Sequence, residues 1–404
     1  MQLNNIGQNI KRFIPKILLE ERGMLLILLI ASLGIAIQMI VHGPSGYNNY
    51  IIFKTSFSHL LNDQNLYRYY PDEYNDLYLY SPAFALLMGP FTLLPLWLQV
   101  IAWCCLSAFC VYMAIKLLPF STGSKRVAMC WFILAEYITT MQNIQVAAMV
   151  ASFVILSFCF FEKGKLFNAA FFIILATFIK IYAIIAVVLF LMYPGRLKFV
   201  GYMFFWGILF LLAPFFVNSI DQALFQYHSW LNLILSIHQG EESGLNPNIP
   251  IPLSVMGWLK TWFNINPPYL LMQLAGTVLL CLPFIRVKFF KDLNFRLFIL
   301  ASILIWSMIF NHIAESASYI VAIMGVAIWF VTDKKDGLTI TLAITIFILS
   351  EMSPSSLFPR YIREHFVQPY VLKAVPCIVL WFLIQYKLLT GKYGNSMPIE
   401  SLQG

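Results

Sequence analysis

The feature that most limits what this chain can become is a succession of apolar stretches, most of them close to the length of a membrane-crossing helix and separated by short polar connections. A spanning helix needs roughly 20 mostly apolar residues, and shorter ones serve where neighbours or water line them. Spans are therefore expected near 24–42, 96–117, 126–140, 143–161, 166–179, 181–194, 199–217, 269–285, 296–311, 317–332, 337–350 and 370–387. That is a bundle of about twelve crossings. Hydrophobic residues make up 60% of the chain and charged residues only 11%, where an ordinary soluble domain has about 25% charged. The expected class is an all-α polytopic membrane protein forming a single domain over 1–404.

Charge sets the orientation. Lys11, Arg12, Lys16 and Arg22 precede the first span, and Lys/Arg pairs or clusters then mark every second connection through Lys387 and Lys392. Cytoplasmic connections keep Lys and Arg, so both termini and a tail over 388–404 are expected inside. Two large loops, 43–95 and 218–268, are expected outside. The run 24–42 is too long for a signal-peptide core and remains as a span. The apolar piece 82–95 would invert every later connection if it crossed fully, so it reads as a half-membrane or interfacial helix bounded by Pro82 and Pro95. A second amphipathic piece, 252–263, follows the polar linker HQGEESGLNPNIP.

Several classes are excluded. The net charge of +8 is spread over many short loops and forms no patch for nucleic acid. The seven cysteines all fall in apolar runs without metal-ligand spacing, as small buried hydrophobes do. No GxxxxGK[ST] loop is present, so the chain itself binds no ATP through that motif. Neither a metal nor a cofactor is expected.

Polar residues at the outer ends of spans are costly unless they are satisfied or used. The first loop offers Asn48, Asn49, Lys54 and Asp76, with Tyr67, Tyr78 and Tyr80 as sugar-stacking or interfacial aromatics; a tyrosine belt with solvated acids is the plainer alternative. Gln142-Asn143-Ile144-Gln145 joins two spans, and its amides suit hydroxyl-rich ligands or a simple helix cap. Lys180 breaks the charge alternation, which points to an anionic partner such as a lipid phosphate, or to snorkelling. In Asn311-His312-Ile313-Ala314-Glu315-Ser316, a helix would put Asn311 and Glu315 on one face. A partly desolvated Glu315 there would have a raised pKa suited to a general base, or would simply bond neighbouring amides. Arg360, Arg363 and Lys373 form a second group of outward cations, and Arg360 or Arg363 can grip a phosphate bidentately or anchor to headgroups.

Tyr47-Asn48-Asn49-Tyr50-Ile51-Ile52-Phe53-Lys54, the following NLY, Tyr80-Ser81-Pro82 and PFTLLP resemble the first outer loop of glycosyltransferase family 87. QNIQ, FIKIY, SWLNL at 229–233, LSVMGWL, FNHIAES and LFPRYIREHFVQPYVLKAVPC resemble a bacterial branch of that family, in order along nearly the whole chain. The resemblance implies a GT-C type membrane hexosyltransferase that moves a sugar, typically mannose, from a polyprenyl-phosphate donor to a lipid or glycan acceptor. Transfer would take place at the outer face of the cytoplasmic membrane, commonly with inversion. Asn49 stands where the family pattern has an Asp proposed as base, so that role passes elsewhere or the chemistry is altered.

The sequence-level expectation is that Glu315, then Asp76, serves as the base. Lys180 with Arg360 or Arg363 would hold the donor phosphate, and Asn49, Asn143, Gln145 and Trp230 would orient sugar or acceptor. Asn48, Lys54, Tyr80, Asn311 and His312 complete the expected substrate-binding set. A transporter or flippase of lipid-linked sugars would use the same cavity without a base, but the convincing internal repeat common in transporters is missing. An inactive scaffold is the third reading.

Overall fold

The computed structural model describes residues 17, 20–242, 251–355 and 357–393. Lys11, Arg12, Lys16, the 243–250 part of the polar linker and the tail from 394 onward lie outside the described residues. All regular structure among the described residues is helical.

The elements are α1 (Glu21–His42), α2 (Asn48–Leu61), α3 (Pro82–Leu87), α4 (Leu96–Leu117), α5 (Gly123–Gln142), α6 (Ala147–Glu162) and α7 (Leu166–Ile179). A 3₁₀ helix, Ile181–Met192, leads into α8 (Arg196–Leu212), α9 (Ile220–Glu242), α10 (Val255–Phe263) and α11 (Tyr269–Cys281). Then come α12 (Leu293–Ile309), α13 (Ile320–Thr332), α14 (Gly337–Ile346) continued by a π-helix (Phe347–Met352), and α15 (Val375–Thr390). Each expected span is occupied by helix. Among the described residues, three helical segments, Glu21–His42, Leu96–Leu117 and Arg196–Phe216, are long and apolar enough to cross a membrane on length and composition alone, and nine shorter apolar ones accompany them.

Packing sorts the helices by position. Every residue of α12 from Leu297 to Ile309 is buried, and α13 is nearly the same, as expected of helices that are apolar all round. These two pack on each other, with α5 and α15 against them. In α8 only Phe199 is buried, so its apolar surface faces outward, toward lipid in a membrane.

The 3₁₀ segment has a physical logic. Its buried residues are Ala183, Ala186, Leu189 and Met192, a spacing of three that matches three residues per turn. At about 2.0 Å rise per residue, this short run extends roughly 24 Å, where an α-helix would reach about 18 Å.

Three ion pairs mark one end of the bundle. Arg126 meets Glu21 at 2.8 Å, Arg296 grips both oxygens of Glu162 at 2.6 and 2.8 Å, and Lys387 pairs with Asp333. At the opposite end lie the α5–α6 turn, Lys180 and the α12–α13 connection.

The 82–95 piece is short and broken, as its prolines require. Ser81 Oγ accepts from the Phe84 amide as N-cap, Pro82 opens α3, and a 3₁₀ turn over Gly89–Leu93 ends before Pro95. The 252–263 piece forms α10, capped by Ser254.

Candidate functional site

The first loop is built to present Tyr80. Ser81 Oγ donates 2.5 Å to the Phe178 carbonyl near the end of α7, while the Tyr67 hydroxyl donates 2.9 Å to the Tyr80 carbonyl. Tyr78 donates to the Ser81 carbonyl at 2.9 Å. These contacts lay the buried Tyr80 ring under Lys180, whose ammonium is 4.5 Å from the ring centroid. Tyr80 is then enclosed beside Glu315, Tyr182 and Asp76, and burial holds its phenol well above the ordinary tyrosine range, so it stays protonated.

Lys180 sits between α7 and the 3₁₀ helix on extended backbone. Burial lowers its pKa below the ordinary lysine value, and the carboxylates of Glu315 and Asp76 act in the opposite sense. Lys180 is thus a desolvated ammonium over an aromatic face, near enough to Glu315 and Asp76 to feel their charge.

The α5–α6 turn supplies the next wall. Helix α5 closes with the Ile144 amide bonding to the Met141 carbonyl at 2.8 Å and the Gln145 amide to Thr140 at 3.2 Å. That pattern puts a left-handed residue at the turn, normally glycine; here it is Ile144 at φ 47°. A β-branched residue in this region is strained, and such strain clusters at functional sites. The turn aims Gln145 at Glu315, with Nε2 donating 2.8 Å to Oε1. Among the described residues, Gln145 Oε1 is buried without a hydrogen bond, as is the Tyr182 hydroxyl. Orphaned buried polar atoms call for a partner, and an amide oxygen is suited to accept from a sugar hydroxyl.

Asp76 is held in a strained conformation, φ 138°. Asn48 grips the backbone just before it, donating 2.7 Å to the Asn75 carbonyl and accepting 2.9 Å from its amide. Asp76 Oδ1 itself accepts from the Leu77 amide at 2.7 Å. Asn49 donates 2.8 Å to the Asn143 carbonyl, a role a carboxylate could not fill. Asn143 in turn donates to Thr139 at 2.9 Å. The two asparagines thus tie the first loop to the α5–α6 turn.

The arrangement can be compared with known proteins. The description of glycosyltransferase family 87 matches residues 78–311, more than half of the 404-residue chain. The chain belongs to glycosyltransferase family 87. No curated protein matches it. The matched part of this family 87 membrane glycosyltransferase contains Tyr80, Gln145 and Lys180; Asp76 and Glu315 lie just outside its two limits.

One expectation about this family 87 chain is corrected. Residues 311–315 are not helical, and only a short 3₁₀ turn, Ser316–Ser318, follows them, so Asn311 and Glu315 share no helix face. Asn311 turns its Oδ1 back to accept from the Ile313 amide at 3.1 Å, and the Ala314 carbonyl accepts from Leu253 at 2.9 Å. Both interactions replace helical hydrogen bonds with local or cross-loop ones. Glu315 is extended and accessible, not desolvated as expected. Ser318 also donates to its Oε1, at 3.2 Å.

The remaining expected residues have other partners. Arg360 is exposed and pairs with Glu364 at 2.6 Å, and Arg363 donates to the Ser355 carbonyl at 3.2 Å. His312 Nδ1 accepts from the Gln273 side-chain amide at 3.1 Å, and its ring faces Tyr269. Trp230 lies on α9 near Tyr227, with its indole N–H unbonded among the described residues, and Lys54 is half-buried on α2. A small apolar groove lined by Ile40, Tyr47, Leu96, Trp97 and Val100 adjoins the start of α2.

Sequence reasoning missed a buried group beneath Glu315. Glu136, fully buried on α5, pairs with Lys373 at 2.8 Å, and Glu351 is buried nearby on the π-helix. A carboxylate in the middle of an apolar run is itself a signal, and Glu136 in 126–140 carried it.

Proposed function

We propose that this glycosyltransferase moves a hexose, mannose being the leading choice, from a polyprenyl-phosphate donor to a hydroxyl of a lipid or glycan acceptor. The outer face of the cytoplasmic membrane is the proposed location, with both termini inside. The observation that carries the reading is the convergence of Lys180, Tyr80, Asp76, Glu315 and Gln145, from four separate parts of the chain, at one end of the bundle.

In the proposed reaction the acceptor oxygen attacks the anomeric carbon from the face opposite the phosphate, forming the new glycosidic bond and inverting the centre. The bond from that carbon to the phosphate oxygen breaks, and its electron pair stays on the phosphate. The acceptor proton passes to a carboxylate. Lys180 opposes the charge growing on the leaving phosphate, the interaction that most lowers such a barrier. Glu315 is the preferred base: both of its hydrogen bonds fall on Oε1, which leaves Oε2 to take the proton. Asp76 is the second choice. Gln145 Oε1 and the Tyr182 hydroxyl are offered to sugar hydroxyls. The apolar groove beside Tyr47 suits an aliphatic chain, and membrane lipids surround the outward faces of the bundle.

Purified full-length protein, a radiolabelled polyprenyl-phosphate mannose and a total membrane-lipid extract as acceptor provide the assay. Transfer by the wild type and its loss in Glu315→Gln would support the reading. Full transfer in both Glu315→Gln and Asp76→Asn would end both assignments.

A further inference from the structure

We infer that Lys373 is a positioning residue for the Glu315 carboxylate, acting through Ser316; this rests on the proposed role of Glu315 as base. Lys373 is 3% exposed at the turn before α15. Its ammonium donates to Glu136 Oε1 at 2.8 Å and Oε2 at 3.0 Å, and to Ser316 at both the carbonyl (3.1 Å) and the hydroxyl (3.0 Å). The Tyr319 ring lies under it at 5.2 Å.

Glu136 belongs to α5, the same helix that ends in the turn carrying Gln145. Glu315 is therefore held from two sides by one rigid element. Gln145 holds its side chain directly, and Glu136 holds its backbone neighbour through Lys373. An extended connection has no hydrogen-bond ladder of its own, so its geometry comes from such tethers. A functional carboxylate also needs placement within about half an ångström.

A stability role explains the group less well. Replacing a buried ion pair by apolar residues of similar size is often neutral or stabilising. The buried pair is therefore weak as a stabiliser, whereas its two bonds to Ser316 are specific. Glu351 faces the same pair, and both of its oxygens are buried without a hydrogen bond among the described residues. Removing Lys373 alone would strand two carboxylates, so the informative variant removes Glu136 together with it.

The test compares wild type, Glu136→Met/Lys373→Met, Glu315→Gln and the triple variant in the transfer assay above, with hydrogen exchange of 311–319 measured on each. The double variant is expected to fold, to exchange those amides at least about ten-fold faster, and to lose about 10- to 100-fold in kcat with little change in donor KM. In the Glu315→Gln background the same pair of changes should cost nothing further, because the group being positioned is gone.

Wild-type kcat in the folded double variant overturns the inference while leaving Glu315 as base. An equal further loss in the Glu315→Gln background also overturns it, since the effect would then be structural. Wild-type transfer by Glu315→Gln overturns the base assignment and this inference together. If the double variant fails to fold, Ser316→Ala decides: a kcat loss of at least about three-fold at unchanged KM supports positioning, and no loss overturns it.

Discussion

The Lys180 ammonium stands 4.5 Å from the centroid of the Tyr80 ring. The two residues come from different parts of the chain, and the Ser81 bond to the Phe178 carbonyl holds them in register. A desolvated cation over an aromatic face is worth up to about 2 kcal/mol, which offsets part of the cost of keeping that charge out of water.

This placement predicts a pH effect with a definite sign. Burial lowers the Lys180 pKa, so its charge is lost at a lower pH than an ordinary lysine would lose it, and phosphate binding weakens as pH rises. A bound phosphate favours the ammonium again. Hence kcat/KM, which reports the free enzyme, should fall on the alkaline side before kcat does. Lys180→Arg should remove that early fall, since guanidinium keeps its proton. An identical alkaline limb in the Arg variant would assign the titration to another group.

Much of this site was legible because membrane sequences obey strict rules. Lys180 stood out only against the alternation of loop charges, and Ser81-Pro82 and QNIQ only as breaks between apolar runs. The neighbours of these residues were not legible, because Glu136–Lys373 and Gln145–Glu315 join residues far apart in the sequence. The helical reading of 311–316 failed because the Asn311 side chain and the Leu253 amide compete for the backbone. The 3₁₀ segment was read as an ordinary span because every residue of 181–192 is hydrophobic, so the three-residue period shows only in which side chains are buried.

Asp76 should show a conflict between stability and activity. At φ 138° a non-glycine residue carries roughly 1–3 kcal/mol of strain, against about 0.5–1 kcal/mol of extra chain entropy lost by glycine and about 1 kcal/mol for the lost Leu77 bond. Asp76→Gly should therefore be at least as stable as Asp76→Ala, with transfer reduced in both. Thermal unfolding followed by a thiol-reactive dye suits this protein, because five of its seven cysteines are buried. A glycine variant clearly less stable than the alanine one would show that the backbone here is relaxed.

Ile144 gives an independent reading of strain. Its side chain is fully buried, so truncation to Ala removes about 2–5 kcal/mol of packing and leaves the left-handed backbone in place. Glycine loses the same packing but relieves roughly 1–2 kcal/mol at φ 47°. Ile144→Gly should melt above Ile144→Ala, the reverse of their order inside a helix.

The 3₁₀ helix should be sensitive to size at every third position and tolerant elsewhere. Ala183 and Ala186 are 1% and 0% exposed against the bundle, whereas Ile184 is 41% exposed. Leucine at either alanine must push into close-packed neighbours, a cost of about 1–3 kcal/mol, and Ile184→Leu changes only an outward face. If the segment relaxed to an α-helix, a residue would recur on the same face every three or four positions, and the burial of 183, 186, 189 and 192 together would be lost. Tryptophan scanning over 181–192 should therefore lower the melting temperature with a period of three. A period nearer 3.6 would mean that the run adopts α geometry, and Lys180 would then sit at the head of a helix some 6 Å shorter by the rise per residue.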